Sequence, residues 1–241
     1  MNGPNKRVEP PGLSVMNVRA ILLDYGGTLD GCANHWLDRF LSCYRTAGLD
    51  MPFQDFRPAF DHATQCAYAE GAVAEFGLQA LVEFHVARQL EHLRVNAPTL
   101  AQRVTETFVQ ASLTALEASR LVLERLHQRV ALGVISNFYG NLAVILADAG
   151  FARLLDTIVD SGRVGMRKPN PEMFALALRQ LRCRPADAVH VGDSFEKDIV
   201  GAHQAGLRTA WLIGAADPPC RNPECVDFRI RQLADLEALI A

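Results

Sequence analysis

Short aliphatic runs, each stopped by a polar or turn-forming residue, recur along this 241-residue chain and limit the folds open to it. Val18–Leu23 (VRAILL) ends in Asp24, followed by Gly26-Gly27. Similar runs recur at Val130–Ile135, Thr157–Val159, Ala188–Val191 and Arg208–Ile213. All but Thr157–Val159 are nearly continuous in apolar residues, which suits parallel strands covered on both faces. Helical periodicity follows at Leu142–Ala149, at Glu172–Leu181 after a Pro-Asn-Pro start, at Glu196–Ala205, and at Leu233–Ile240. Alternating strands and helices predict a doubly wound α/β fold.

One stretch interrupts the alternation. From Trp36 to Ser112 no segment reads as a strand, and four segments carry an amphipathic helical period. The division expected is therefore a polar, Pro/Gly-rich disordered tail over residues 1–16, a core formed by 17–34 and 113–241, and a helical cap over 35–112.

Composition removes several classes. A formal net charge of -3 offers no electrostatic footprint for nucleic acid. No apolar run reaches the ~20 residues of a membrane span, and the N-terminus has no apolar signal-peptide core, so a cytoplasmic protein without membrane attachment is expected. The six cysteines are scattered and expected to be reduced thiols. Cys220 and Cys225 flank four residues but have no second ligand pair for zinc. Oligomeric state is open.

Polar residues gather where an open parallel sheet binds ligands, beyond the carboxyl ends of its strands. Asp24 ends the first run, Ser136-Asn137 the second and Asp193 the fourth, with Asp198 five residues later. Lys168, one of only three lysines, precedes a helix in GMRKPNPEMF. Carboxylates suit a hard divalent cation, and a lysine with a hydroxyl suits a phosphate. His190 reads as a core residue beside this rim, and His85 and His92 as packing or surface residues of one helix. The helical arginines Arg39, Arg45, Arg57 and Arg88 read as solvated side chains that are also available to an anionic substrate.

These residues also resemble a known family. ILLDYGGTLD (Ile21–Asp30), VISN (Val134–Asn137), RKPNPEMF (Arg167–Phe174) and HVGDSFEKDIVGAHQAG (His190–Gly206) resemble, in order, the four motifs of the haloacid dehalogenase-like hydrolases. The resemblance implies a Rossmann-like three-layer core with a parallel sheet of order 3-2-1-4-5 and an inserted helical cap. It implies a Mg²⁺-dependent phosphatase acting on a small phosphorylated metabolite. Asp24 would be the nucleophile. Thr28, Ser136 and Asn137 would bind the phosphoryl group. Lys168 would neutralise nucleophile and phosphate, Asp24, Asp193 and the Gly26 carbonyl would ligate Mg²⁺, and Asp198 would support the metal site or Lys168.

The chain departs from the pattern at Gly26, where family phosphatases carry the aspartate that protonates the leaving group. A metal-ligating carbonyl survives there, whereas acid–base help, typically worth ~10²–10⁴-fold, does not. The expected consequence is a phosphatase that is slow or restricted to good leaving groups, or one with a proton relay from Asp30, the cap or the substrate. A non-catalytic phospholigand-binding or regulatory protein is the alternative from another class. A 2-haloacid dehalogenase is disfavoured by Asp193, and a phosphonate-cleaving enzyme by the absence of lysine from Trp36 to Ser112.

Overall fold

The computed structural model of the protein describes residues 18–240, so the expected tail over 1–16 lies outside the described residues. Six strands form one parallel sheet: β1 (Ala20–Leu23), β2 (Ala131–Ser136), β3 (Thr157–Asp160), β4 (Ala188–Gly192), β5 (Arg208–Leu212) and β6 (Phe228–Ile230). Their order is β3-β2-β1-β4-β5-β6, the expected 3-2-1-4-5 with one more strand at the edge. β6 was not legible in the sequence because it has only three residues and just one of them is buried.

The alternation along β1 splits the core in two. Ile21 and Leu23 face one buried cluster, while Ala20 and Leu22 face another with Ile135, Met173 and Phe174. A strand apolar on both sides needs cover on both sides, which gives three layers. Register then positions the chemistry: Leu23 lies level with Val134 and with Val191, so the residues that follow each strand emerge on one rim.

Four helices separate β1 from β2: α1 (Trp36–Thr46), α2 (Phe53–Ala69), α3 (Leu78–Leu93) and α4 (Pro98–His127). No strand interrupts them, and their buried residues repeat at helical spacing, as with Trp36, Phe40 and Tyr44 on α1. The boundary expected between residues 112 and 113 falls inside α4. That helix starts on Pro98, runs 30 residues without a break, and touches α1 and α3 as well as β2. Its apolar period simply continues, through Val104, Phe108, Leu116, Leu123 and Leu126, so nothing in the sequence marks a seam.

Later elements follow the expected alternation. α5 (Leu142–Asp148) follows β2, and α6 (Ser161–Val164) and α7 (Pro171–Leu181) follow β3. A helical turn over Phe195–Val200 leads into α8 (Gly201–Gln204) after β4, and the last expected helix is a 3-10 helix over Leu233–Leu239. No helix among the described residues is long and apolar enough to cross a membrane. All six cysteines are free thiols.

Candidate active site

Asp24 follows β1 directly and keeps extended backbone geometry (φ -74°, ψ 162°). The chain then turns through Gly26 (φ -72°, ψ 112°) and Gly27 (φ 88°). Gly27 needs to be glycine twice over: its φ is left-handed, and a Cβ there would lie 2.4 Å from Asp193 Oδ2. That close approach brings the first turn against the end of β4. Thr28 is buried and its hydroxyl donates to Asp193 Oδ1 at 3.2 Å. It is not among the residues that line the cavity described below, and its hydroxyl is engaged with the acidic wall.

Lys168 is the hub. Its Nζ donates to Asp24 Oδ1 at 2.7 Å and to Asp198 Oδ1 at 2.5 Å, and its side chain is 2% exposed. Asn137 fixes the lysine backbone from both sides, accepting from Lys168 N at 2.7 Å and donating to Lys168 O at 3.0 Å. Asn137 still borders the cavity, but its amide is spent on that loop. Asp198 also accepts from Ser194 N at 3.0 Å and meets His190 Nε2 at 3.3 Å, which gives the buried His190 its partner. Asp198 thus buttresses Lys168 with both oxygens engaged.

Electrostatics follow from this packing. Burial alone would raise the Asp198 carboxyl, but the Lys168 ammonium and His190 outweigh it and hold it well below the usual carboxylate range. Burial alone would lower Lys168, but Asp198 and Asp24 outweigh it and keep the ammonium charged. Asp193 makes no ion pair among the described residues, and the Lys168 charge offsets little of what raises it. Burial, then the Asp24 and Asp198 charges, push it up to about 8. Carboxylate oxygens of Asp24, Asp193 and Asp198 lie within 4.8 Å of one another. A crowded, partly dehydrated set of hard oxygens is what a divalent cation would relieve, and Asp24 with Asp193 are the members left free to hold one.

These groups form one wall of a cavity of about 120 Å³, with Ser136 and Gly26 beside them. The rest of the cavity lining was missed by sequence reasoning. It includes His35 and Trp36 at the start of α1, Phe60, Thr64 and Tyr68 on α2, and Phe138 and Tyr139 after β2, with Arg167 and Lys197 also on the lining. In the sequence Trp36, Phe60 and Tyr68 fall in amphipathic helical segments, where nothing sets them apart from core residues. Asp30, a suspected proton relay, does not line the cavity. Its oxygens accept from Gly27 N at 2.8 Å, Trp36 Nε1 at 2.7 Å and Arg39 Nη1 at 3.0 Å, so it is a buried structural anchor. None of the four helical arginines lines the cavity either: Arg39 pairs with Asp30, Arg45 with Asp50, Arg57 with Asp61 and Arg88 with Glu91.

The chain is similar to known proteins in sequence and in fold. Residues 59–212 match the model of the haloacid dehalogenase-like hydrolases. A phosphoserine phosphatase of Thermus thermophilus is 29% identical over 199 residues, 78% of each chain. A pyrimidine 5'-nucleotidase of Escherichia coli is 30% identical over 73% of this chain and 77% of its own. The crystal structure of a phosphatase from Thermococcus onnurineus superposes with a TM-score of 0.58 at 18% identity, over 93% of this chain and 98% of the other, which is a likeness of fold. With the family model covering well over half its length, the chain belongs to the haloacid dehalogenase-like hydrolase family.

Proposed function

We propose that the protein is a Mg²⁺-dependent phosphatase that works through an aspartyl-phosphate on Asp24. The observation that carries the reading is the Asp24 carboxylate held 2.7 Å from a buried, doubly paired lysine on the floor of a cavity. A carboxylate approaching a phosphate dianion meets charge repulsion, so the site must supply positive charge before it can supply a nucleophile. Lys168 supplies part of it, and Asp198 keeps that ammonium in place. The donors left to a cation, Asp24, Asp193 and the Gly26 carbonyl, are all hard oxygens, as Mg²⁺ prefers. Once bound, Mg²⁺ would supply the remaining charge neutralisation on the phosphoryl oxygens. Ser136 borders the cavity, and its hydroxyl has no partner among the described residues, which leaves it free for a phosphoryl oxygen. Asp24 then attacks phosphorus, the leaving group departs, and water hydrolyses the acyl phosphate.

No side chain at position 26 moves protons in either half of this cycle. Phosphoryl transfer rests mainly on positioning and charge, so attack survives, while poor leaving groups and water activation suffer. The reading is therefore a phosphatase favouring leaving groups of low pKa. The relatives, named for phosphoserine and for pyrimidine nucleotides, do not converge on a substrate.

A second reading, a phospholigand-binding protein without turnover, is favoured by one observation: the indole of Trp36 stands 3.6 Å from the point where a side chain at position 26 would begin. One assay separates the two. Aryl, acyl and alkyl phosphates are offered with Mg²⁺ to wild type and Asp24→Asn, and the Asp24 peptide is examined by mass spectrometry for trapped phosphate. Turnover of aryl or acyl phosphates lost in Asp24→Asn supports the phosphatase. Mg²⁺ binding by calorimetry without turnover on any class, and without phosphoenzyme, favours the second reading.

A further inference from the structure

The cavity has two halves of opposite character. The transfer half holds all its carboxylates: Asp24, Asp193 and Asp198. The half facing the organic group holds none. It is built from aromatic rings, with Trp36 packed edge-on to Phe138 (centroids 5.6 Å apart) and Tyr68 to Tyr139 (4.8 Å). Besides Lys168, the cationic side chains of the lining are Arg167 and Lys197, and Lys197 lies near enough to His35 for its charge to join burial in lowering the imidazole pKa. The Arg167 guanidinium lies over the Tyr68 ring, 4.5 Å from its centroid. Neither cation has a hydrogen-bond or ion-pair partner among the described residues, in contrast to the four paired helical arginines. His35 adds no negative charge. Its Nδ1 accepts from Leu37 N at 3.2 Å, which leaves the proton of the neutral ring on Nε2.

Resting on the phosphatase reading, we propose that this half of the cavity selects phosphomonoesters whose organic group is planar or apolar and carries a second negative charge, a carboxylate or a second phosphate, placed to meet Arg167 and Lys197. Flat faces stack on the aromatic wall. An anion at the mouth meets two cations that have no competing partner, and the Arg167 fork suits a carboxylate or phosphate oxygen pair. A substrate bearing an ammonium group meets the same two cations with no carboxylate to receive it, and the like-charge contact opposes binding.

The test uses aryl phosphates of one shape and different charge. The protein is given 4-carboxyphenyl phosphate, its neutral isostere 4-carbamoylphenyl phosphate, 4-(aminomethyl)phenyl phosphate and 1,4-phenylene bisphosphate. For each, kcat/KM is measured, and binding to Asp24→Asn is read by calorimetry so that the answer does not depend on turnover. The carboxylate and bisphosphate compounds should exceed the carboxamide by about three- to tenfold, since partly exposed ion pairs contribute modestly, and the amine should fall below it. Which of the two anions leads tells carboxylate from phosphate recognition. The advantage should shrink as salt is raised to about 0.5 M and collapse toward one in Arg167→Met/Lys197→Met. Equal handling of carboxylate and carboxamide overturns the proposal, as does a preference for the amine or an anion preference that survives in the double variant. If turnover is absent while binding still ranks anion over amide over amine, the selectivity stands and the phosphatase reading fails.

Discussion

Trp36 stands against Gly26: a Cβ built on the glycine would lie 3.6 Å from indole Cδ1 and 3.7 Å from Nε1. The same indole nitrogen donates to the buried Asp30. The tryptophan therefore closes the space beside the nucleophile turn and is itself held from behind.

Those distances make Gly26→Asp a usable experiment. They are ordinary van der Waals contacts, and φ at Gly26 is -72°, open to any residue, so the left-handed strain belongs to Gly27 alone. The variant should fold with a midpoint close to wild type by thermal melt. Its turnover of alkyl phosphates relative to aryl phosphates should rise by about 10²-fold, the lower end of general-acid contributions. An unchanged ratio in a well-folded variant would mean that protonation does not limit this enzyme.

Asp30 separates structural from catalytic loss. It is fully buried and paired with Arg39, whose guanidinium also bonds Ser112 on α4 and lies over the Phe108 ring. Arg39→Met strands that carboxylate and should cost about 3–5 kcal/mol in urea unfolding, while Asp30→Asn/Arg39→Met together should recover most of it. Neither variant should alter the alkyl-to-aryl ratio of the remaining activity. A selective loss on alkyl phosphates in Asp30→Asn would restore Asp30 as a proton relay.

Asp193 predicts how stability responds to pH. A carboxyl ionising near ~4 in the unfolded chain is pushed up to about 8 in the fold by burial and by Asp24 and Asp198. The folded state thus holds a proton that the unfolded state releases. This contribution is complete below pH ~4 and is lost as pH rises toward about 8. The melting temperature of metal-free protein should fall between about pH 5 and pH 8. Millimolar Mg²⁺ should flatten the slope, and Asp193→Asn should remove both the slope and the response to Mg²⁺. A slope untouched by either change would detach Asp193 from metal binding.

Asp198→Ala tests the lysine buttress. It leaves Lys168 and His190 buried with fewer partners, a loss of about 3–5 kcal/mol for a broken buried pair. Asp198→Asn keeps one acceptor oxygen for either Ser194 N or Lys168 Nζ and fills the same space, so it should cost less. Calorimetric Mg²⁺ affinity should drop less in Asp198→Asn than in Asp193→Asn, since Asp198 oxygens are already engaged.

The rim was legible because each of its residues ends a short, strongly apolar run: Asp24, Ser136 and Asp193 are fixed by where strands stop, and register does the rest. The Asn137 amide and the Thr28 hydroxyl meet protein partners, the Lys168 backbone and Asp193, that sequence spacing does not encode. The aromatic wall was illegible for a different reason. Trp36, Phe60 and Tyr68 share the spacing of other buried helical residues, and only the fold, which sets Trp36 against Phe138 and Tyr68 against Tyr139, brings them to the cavity. The φ values of Gly26 and Gly27 were likewise hidden, since two adjacent glycines look alike until the Asp193 contact distinguishes them.

α4 has a consequence for how such a chain can be cut and recombined. At 1.5 Å per residue its 30 residues make a rod about 45 Å long, reaching from the other helices to the sheet. Severing it at residue 112 would break a helix in mid-turn and leave Val104 and Phe108 on one fragment, Leu123 and Leu126 on the other. The helices between β1 and β2 are therefore no interchangeable cassette. A transplant that carried a new set onto this sheet would have to bring its own copy of α4, and with it the surface on which β2 rests.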